Sequence, residues 1–352
     1  MAGRTVGELL RYVLGIAIGV IVLVLLVGRR GELVAAARQI SDANPGWVAA
    51  AIGAESLSLL AYARLQQRVL HYSGAIVPLP GLFLLTLAND AVNCTVPGEP
   101  AVSSAYRYRY YRRRGASAAS AGWTIFTILI AQAVGMSAVL LVGVVVALVA
   151  SAAASGASPA GIGVTVVGLL IVLAAGAVLV RRDLVLRIMS AATRGLQRRA
   201  GRRPRGLLAR IEATLVRMRE IPLSPRATVD VVVLATASWL FDFLCLVCSF
   251  GAVHTTVPWR GVLLAYGASV VAGSLPIVPG GLGIIEGSLA VVLVGYGAGR
   301  VPAVAAVLAF RIVNYWLAIA VGWASVGLVA LQLRRRPTGP SAADADIVGL
   351  GP

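Results

Sequence analysis

This 352-residue chain contains no lysine: all 31 of its basic side chains are arginines, set against 14 acidic residues for a net charge of +17. Without lysine there is no GxxxxGK[ST] phosphate loop, so any directionality in its action has to come from an ion gradient or from consumption of a product on one side. Histidine is nearly missing as well. His71 and His254 are the only two, both expected in short loops on the outer face, and no HExxH or acid–histidine cluster supplies metal ligands or a general base. The chain is therefore expected to be no enzyme, with no catalytic residue, no metal site and no cofactor. The three cysteines, Cys94, Cys245 and Cys248, all lie in apolar sequence, which argues against a disulfide framework. Cys245 and Cys248 have CxxC spacing, but with no second pair or nearby histidine they read as small buried residues on one helix face.

Charge of either sign is scarce: 13% of residues are charged and 59% are hydrophobic, with a mean hydropathy of +0.87. Several apolar stretches approach the roughly 20 residues needed to cross a bilayer. The fold class expected is an all-α polytopic integral membrane protein of about eight or nine transmembrane helices, with two Pro/Gly-broken or re-entrant elements; re-entrant hairpins in place of full crossings would lower the count. In a soluble protein the arginine excess would point to nucleic acid. Here it reflects loops retained on the cytoplasmic side, in contact with anionic lipid headgroups, and no nucleic-acid partner is expected.

Spans are predicted at Tyr12–Val27, Trp47–Ala63, Ile76–Val96, Trp123–Ala150, Gly161–Val180, Val229–Phe250, Gly261–Ser274, Ile284–Gly297 and Val301–Leu333. The first lacks an AxA-like cleavage site and is read as a retained span. The segment Arg181–Arg226 carries thirteen arginines against Asp183, Glu212 and Glu220, which places it in the cytoplasm. Nine crossings then put Arg107–Arg114 and Arg334–Arg336 inside and the N-terminus outside, in the plasma membrane. Leu207, Leu208, Ile211, Leu215 and Met218 recur at helical spacing within the basic segment, as in a helix lying on the membrane or a solvated connector. The domain expected is one transmembrane unit over residues 1–336, with a first half at about 11–180, the basic loop 181–226 and a second half at about 229–333. Residues 337–352, rich in Pro, Gly, Ala and Asp, read as a disordered cytoplasmic tail. Nothing in the sequence specifies an oligomeric state.

Within this apolar chain one stretch stands apart. Leu275–Gly287, LPIVPGGLGIIEG, sets two prolines, four glycines and one carboxylate inside membrane-length sequence. Proline removes a backbone donor and glycine loosens the chain, so a helix should break there and restart at Ile284. Lipid tolerates irregular backbone only where protein or a water-filled cavity surrounds it. The first half has its own break in Asn93–Pro100, NCTVPGEP. Paired interruptions point to a substrate site at the interface of two halves, which an inverted repeat would relate. The restarted helix would aim its positive dipole end at the cavity, which suits a lipid phosphate. Two roles fit Glu286: capping its own helix start, or facing an arginine, a substrate amine or a proton-linked step.

Arg311, 8 to 10 residues into the last span, is too deep for an interfacial anchor and needs a partner. Glu286, Asp242, Glu55 and Glu99 are the choices, although ideal geometry offsets the depths of Glu286 and Arg311 by about 10 Å. Arg311 serves either as a bidentate phosphate donor or as half of a structural ion pair. Glu55 with Ser56 and Ser58, Asp90 with Asn89 and Asn93, and Asp242 beside Trp239 either line a groove or make helix contacts. Tyr106–Arg114 reads as a belt at headgroup level.

These motifs resemble the flippase-like family that includes the membrane half of lysylphosphatidylglycerol synthases. Pro279, Gly280, Gly281, Gly283 and Glu286 are similar to that family's second-half PGGxGxxE motif. Pro97, Gly98 and Glu99, followed by Ala105-Tyr106-Arg107, resemble its first-half motif, and Arg311 in AFRIVNYW resembles the arginine of its last long helix. The resemblance implies movement of a phospholipid or polyprenyl-linked lipid between leaflets, with its anionic phosphate headgroup handled at Pro97, Gly98, Glu99, Pro279, Gly280, Gly281, Gly283, Glu286 and Arg311. It also implies no aminoacyl transfer, since nothing after Leu333 matches the soluble half of those synthases. An ion-coupled solute carrier, or a membrane subunit or enzyme of lipid or polyprenyl-phosphate glycosylation, is the alternative function.

Overall fold

A computed structural model of the chain describes residues 30–95, 99–152, 224–274 and 279–334. Every regular element among them is helical. The expected spans Tyr12–Val27 and Gly161–Val180, the basic segment from Arg181 to Glu220 and the tail after Arg334 lie outside the described residues.

The elements fall into two series whose long helices match in length. A short helix, α1 (Arg30–Ser41), precedes the first. The first series is α2 (Pro45–Tyr72, 28 residues), α3 (Leu79–Thr95), α4 (Glu99–Arg113) and α5 (Ala118–Ala152). The second is α6 (Pro225–Ala252, 28 residues), α7 (Val262–Gly273), a 3-10 turn at Pro279–Gly281, α8 (Ile284–Gly295) and a closing helix. That closing helix is built from α9 (Arg300–Arg311), a π-helical segment at Ile312–Leu317 and α10 (Ala318–Arg334), continuous in direction and as long as α5. α2, α5, α6 and the closing helix are long and apolar enough to cross a membrane. The two 28-residue helices start alike, with proline in the first turn behind an Asn44 or Ser224 cap whose side chain accepts backbone N–H groups.

The shorter elements take the re-entrant form in place of some of the expected crossings. α7 and α8 have 12 residues each, about 18 Å of helix against a hydrocarbon core of about 30 Å, so neither can span. They form an antiparallel hairpin instead. Gly273 at the end of α7 lies against Ile285 at the start of α8, and Gly261 at the other end is covered by the Tyr296 ring. α3 and α4 pair in the same way: Gly81, near the start of α3, lies under Tyr110 and Arg114 at the end of α4. Two of the expected spans in the second half are thus one re-entrant hairpin, and Ile76–Val96 is one arm of another.

Pairing among the long helices fixes which ends lie together. The end of α2 meets the starts of α5 and α6: Tyr72 Oη donates to Asp230 (2.8 Å) and Ser120 Oγ to the Ser73 carbonyl (2.8 Å). At the opposite end, Asn44 N–H donates to the Ala252 carbonyl (2.9 Å) and Gln39 of α1 to the Val253 carbonyl (2.9 Å). The α3–α4 hairpin enters from the first end, which carries Arg112, Arg113, Arg114 and Arg226, and the α7–α8 hairpin from the other. The two series are therefore inverted with respect to each other. This also corrects the placement of His71, which sits at the arginine-rich end, while His254 lies at the opposite end beside Asp42.

Small residues set the packing. Without a hydrophobic drive between helices in lipid, close backbone approach holds the bundle together. Gly135 of α5 contacts the α6 backbone at Ala235, Gly143 contacts α7 at Leu264, and Gly322 of α10 lies against the Leu87 carbonyl of α3.

Candidate functional site

The two hairpin tips meet. α3 packs against the Pro279–Gly281 turn and runs antiparallel to α10, and Tyr315 of the π-helical segment donates its hydroxyl to the Cys94 carbonyl at 3.0 Å, one residue before α3 ends. Tyr315 lies near the middle of the closing helix, so the contact is at mid-depth. Pro97 and Gly98 fall outside the described residues, and Glu99 begins α4.

The second break has the conformation its glycines permit. Gly280 has φ of 60° and Gly283 φ of 81°, a region that L side chains rarely enter. Pro279 and Gly281 complete the turn, and α8 starts at Ile284, as the sequence predicts. One Glu286 oxygen accepts the Gly283 N–H at 2.6 Å, closing the helix start, and its other oxygen accepts Arg311 Nε at 2.6 Å. The sequence reading separated capping from ion pairing; Glu286 does both.

The expected 10 Å offset between Glu286 and Arg311 is also overturned. α8 and α9 are arms of one hairpin about the turn at Tyr296–Gly299, which places the two residues at nearly equal distances from it. Arg311 is enclosed. Besides Glu286 it donates Nη2 to the Gly280 carbonyl at 3.1 Å, and its guanidinium stacks over the Tyr315 ring, 4.2 Å from the centroid. The Arg311 side chain is 5% exposed and that of Glu286 20%. A desolvated guanidinium held on three sides ties the second tip to the closing helix, and through Tyr315 to the first tip.

A second polar cluster sits one residue along the π-helical segment. Asn314 Nδ2 donates to Asp242 Oδ1 at 2.5 Å and to Glu55 Oε2 at 3.4 Å, and Tyr266 donates its hydroxyl to Asp242 Oδ2 at 2.5 Å. Glu55 and Asp242 are both buried. Of the partners considered for Arg311, these two are engaged elsewhere. A π turn carries one extra residue per turn and so lets Arg311, Asn314 and Tyr315 all face inward, a common feature of functional sites. The sequence reading named Asp242 and Glu55 but missed Asn314 and Tyr315. The signal available was their spacing of three and four residues from Arg311.

Tyr106–Arg114 is not a belt at headgroup level. Tyr110 and Tyr111 are buried, and Tyr111 donates to Gln66 (2.7 Å), which in turn donates to Thr86 (2.6 Å), joining α4, α2 and α3. Arg107 reaches inward to the Tyr62 hydroxyl at 2.5 Å. Among the described residues no group of three or more His, Cys, Asp or Glu is placed to hold a metal ion.

Two opposed hairpins meeting at mid-depth around buried polar side chains define an integral membrane protein built as an inverted repeat. The chain belongs to the lysylphosphatidylglycerol synthase TM region family, whose model matches residues 12–322. That membership carries a lipid-related function at the membrane. No curated protein sequence matches the chain.

Proposed function

We propose that this chain moves a lipid, or a lipid-linked headgroup, between leaflets, passing a phosphate-bearing headgroup between the two hairpins while the acyl chains stay in the bilayer. The observation that carries the reading is the meeting of the tips: the Tyr315–Cys94 contact and the Glu286–Arg311 pair lie where hairpins from opposite ends abut. Each hairpin opens a half-path from its own end, so separating a tip from the closing helix would connect the halves in turn. The Gly280 and Gly283 turn and the π-helical segment supply joints for that motion. Arg311 then acts as the pivot that holds the tips together, with phosphate passing beside it.

The arginine-rich end faces the cytoplasm of the plasma membrane in this reading, and the residues from Arg181 to Arg226 contact anionic headgroups. No enzymatic step is assigned. The test reconstitutes the chain in vesicles with labelled anionic phospholipid and compares it with Glu286→Gln and Arg311→Gln at equal folded incorporation. Transport by the intact chain and its loss in both variants supports the reading; undiminished transport in the variants removes this site from it.

A further inference from the structure

Two deep arginines among the described residues, Arg311 and Arg107, differ in how their charge is met. Arg311 has a carboxylate on Nε, a carbonyl on Nη2 and an aromatic ring on its face. Arg107 has far less. Its Nη1 donates to the Tyr62 hydroxyl, its Nε is buried without any hydrogen-bond partner, and among the described residues no carboxylate lies within 4.0 Å of it. Tyr62 is ten residues before the end of α2, about 15 Å along the helix, so this guanidinium is well inside the membrane. An arginine at that depth is costly unless its charge is met, and it marks a path for polar substrates.

The surroundings leave the charge of Arg107 without a counter-ion in contact with it. Asp90 of α3 interacts with Arg107 electrostatically without forming an ion pair. Tyr62 is a neutral phenol that orients the guanidinium and does not neutralise it. Arg107 also belongs to the hairpin that enters from the arginine-rich end, four residues from Tyr111, whose bond to Gln66 anchors that arm.

From this we infer that Arg107, and not Arg311, is the residue that binds the phosphate of the headgroup, in a subsite within the α3–α4 hairpin where Tyr62 positions the guanidinium. The inference rests on the lipid-transport reading and names the binding residue for it. Nε is buried without a partner, so a phosphate ester reaches it, together with an Nη of the same fork, only when the hairpin parts from its neighbours as the transport reading requires; the paired donors then meet two phosphate oxygens, a geometry lysine cannot reproduce.

The test is equilibrium binding to the full chain in nanodiscs of phosphatidylcholine, with a short-chain phosphatidylglycerol as probe and inorganic phosphate as competitor. Arg107→Gln is expected to weaken binding at least tenfold, Arg107→Lys to recover part of it, and Tyr62→Phe to lower it by less than Arg107→Gln. Affinity within twofold of the intact chain in folded Arg107→Gln overturns the assignment while leaving lipid binding standing. No binding by the intact chain overturns both the assignment and the transport reading. Displacement of the lipid by inorganic phosphate at equal concentration assigns the subsite to soluble phosphate and overturns its role in holding a lipid. Arg107→Lys and Tyr62→Phe keep the question answerable if Arg107→Gln does not fold.

Discussion

Replacing Glu286 by glutamine leaves Arg311 as a buried cation without its carboxylate. The Arg311 side chain is only 5% exposed, and breaking a buried pair by removing one partner costs about 3–5 kcal/mol. The Gly280 carbonyl and the Tyr315 ring remain in place, so the expected loss is at the lower end, about 3 kcal/mol. Arg311→Gln is milder. It strands a carboxylate that is 20% exposed and still accepts the Gly283 N–H, and the lost charged hydrogen bond is worth about 1.5–2 kcal/mol. The double variant should then be less destabilised than the sum of the singles, with a coupling of at least about 1 kcal/mol. Reversible unfolding in mixed micelles, followed by tryptophan fluorescence, measures all three. Additivity within about 0.5 kcal/mol, or a larger loss for Arg311→Gln than for Glu286→Gln, would refute the enclosed-pair argument.

Further outcomes follow from the same geometry. Gly280→Ala forces a left-handed backbone on alanine, at about 1–2 kcal/mol, and drives its Cβ into the Tyr315 ring, so the thermal midpoint should fall and transport with it. Tyr315→Phe removes the hydroxyl contact with Cys94 and should cost about 1 kcal/mol, while loosening the tips enough to raise hydrogen exchange at the end of α3. Asn314→Leu removes the donor shared by Asp242 and Glu55 and should destabilise by about 1–3 kcal/mol in the same unfolding assay; an unchanged midpoint would show that the cluster is not held by that amide. Single cysteines at His71 and His254, in a background lacking the native three, should react with an impermeant maleimide from opposite sides of the membrane. Reaction from the same side would contradict the re-entrant α3–α4 hairpin.

Local chemistry made the breaks legible. The proline and glycines of Leu275–Gly287 located the restart at Ile284, and the isolated charges of Glu286 and Arg311 marked them as a deep site. What local chemistry does not encode is the return of the chain. α7 and α8 have the same apolar composition as true spans, and only their 12-residue lengths and the Gly261–Tyr296 and Gly273–Ile285 contacts make them a hairpin. Tyr106–Arg114 misled for a related reason: an aromatic and arginine run reads as an interfacial belt unless the helix before it turns back, as α3 does, and carries Arg107 inward to Tyr62. The π-helical segment has no sequence signature; spacing of three and four residues puts Asn314 and Tyr315 on the side of Arg311, but their partners emerged only from the fold.

The central claim is that lipid headgroups cross the membrane through this protein. Its most direct measurement is the accessibility of a fluorescent phosphatidylglycerol to an impermeant quencher in sealed vesicles, with and without the reconstituted intact chain. The account predicts that quenching extends from the outer leaflet alone to both leaflets when the chain is present. Quenching confined to the outer leaflet at the same protein incorporation, with phosphatidylglycerol and with other phosphate-bearing lipids in turn, would contradict it.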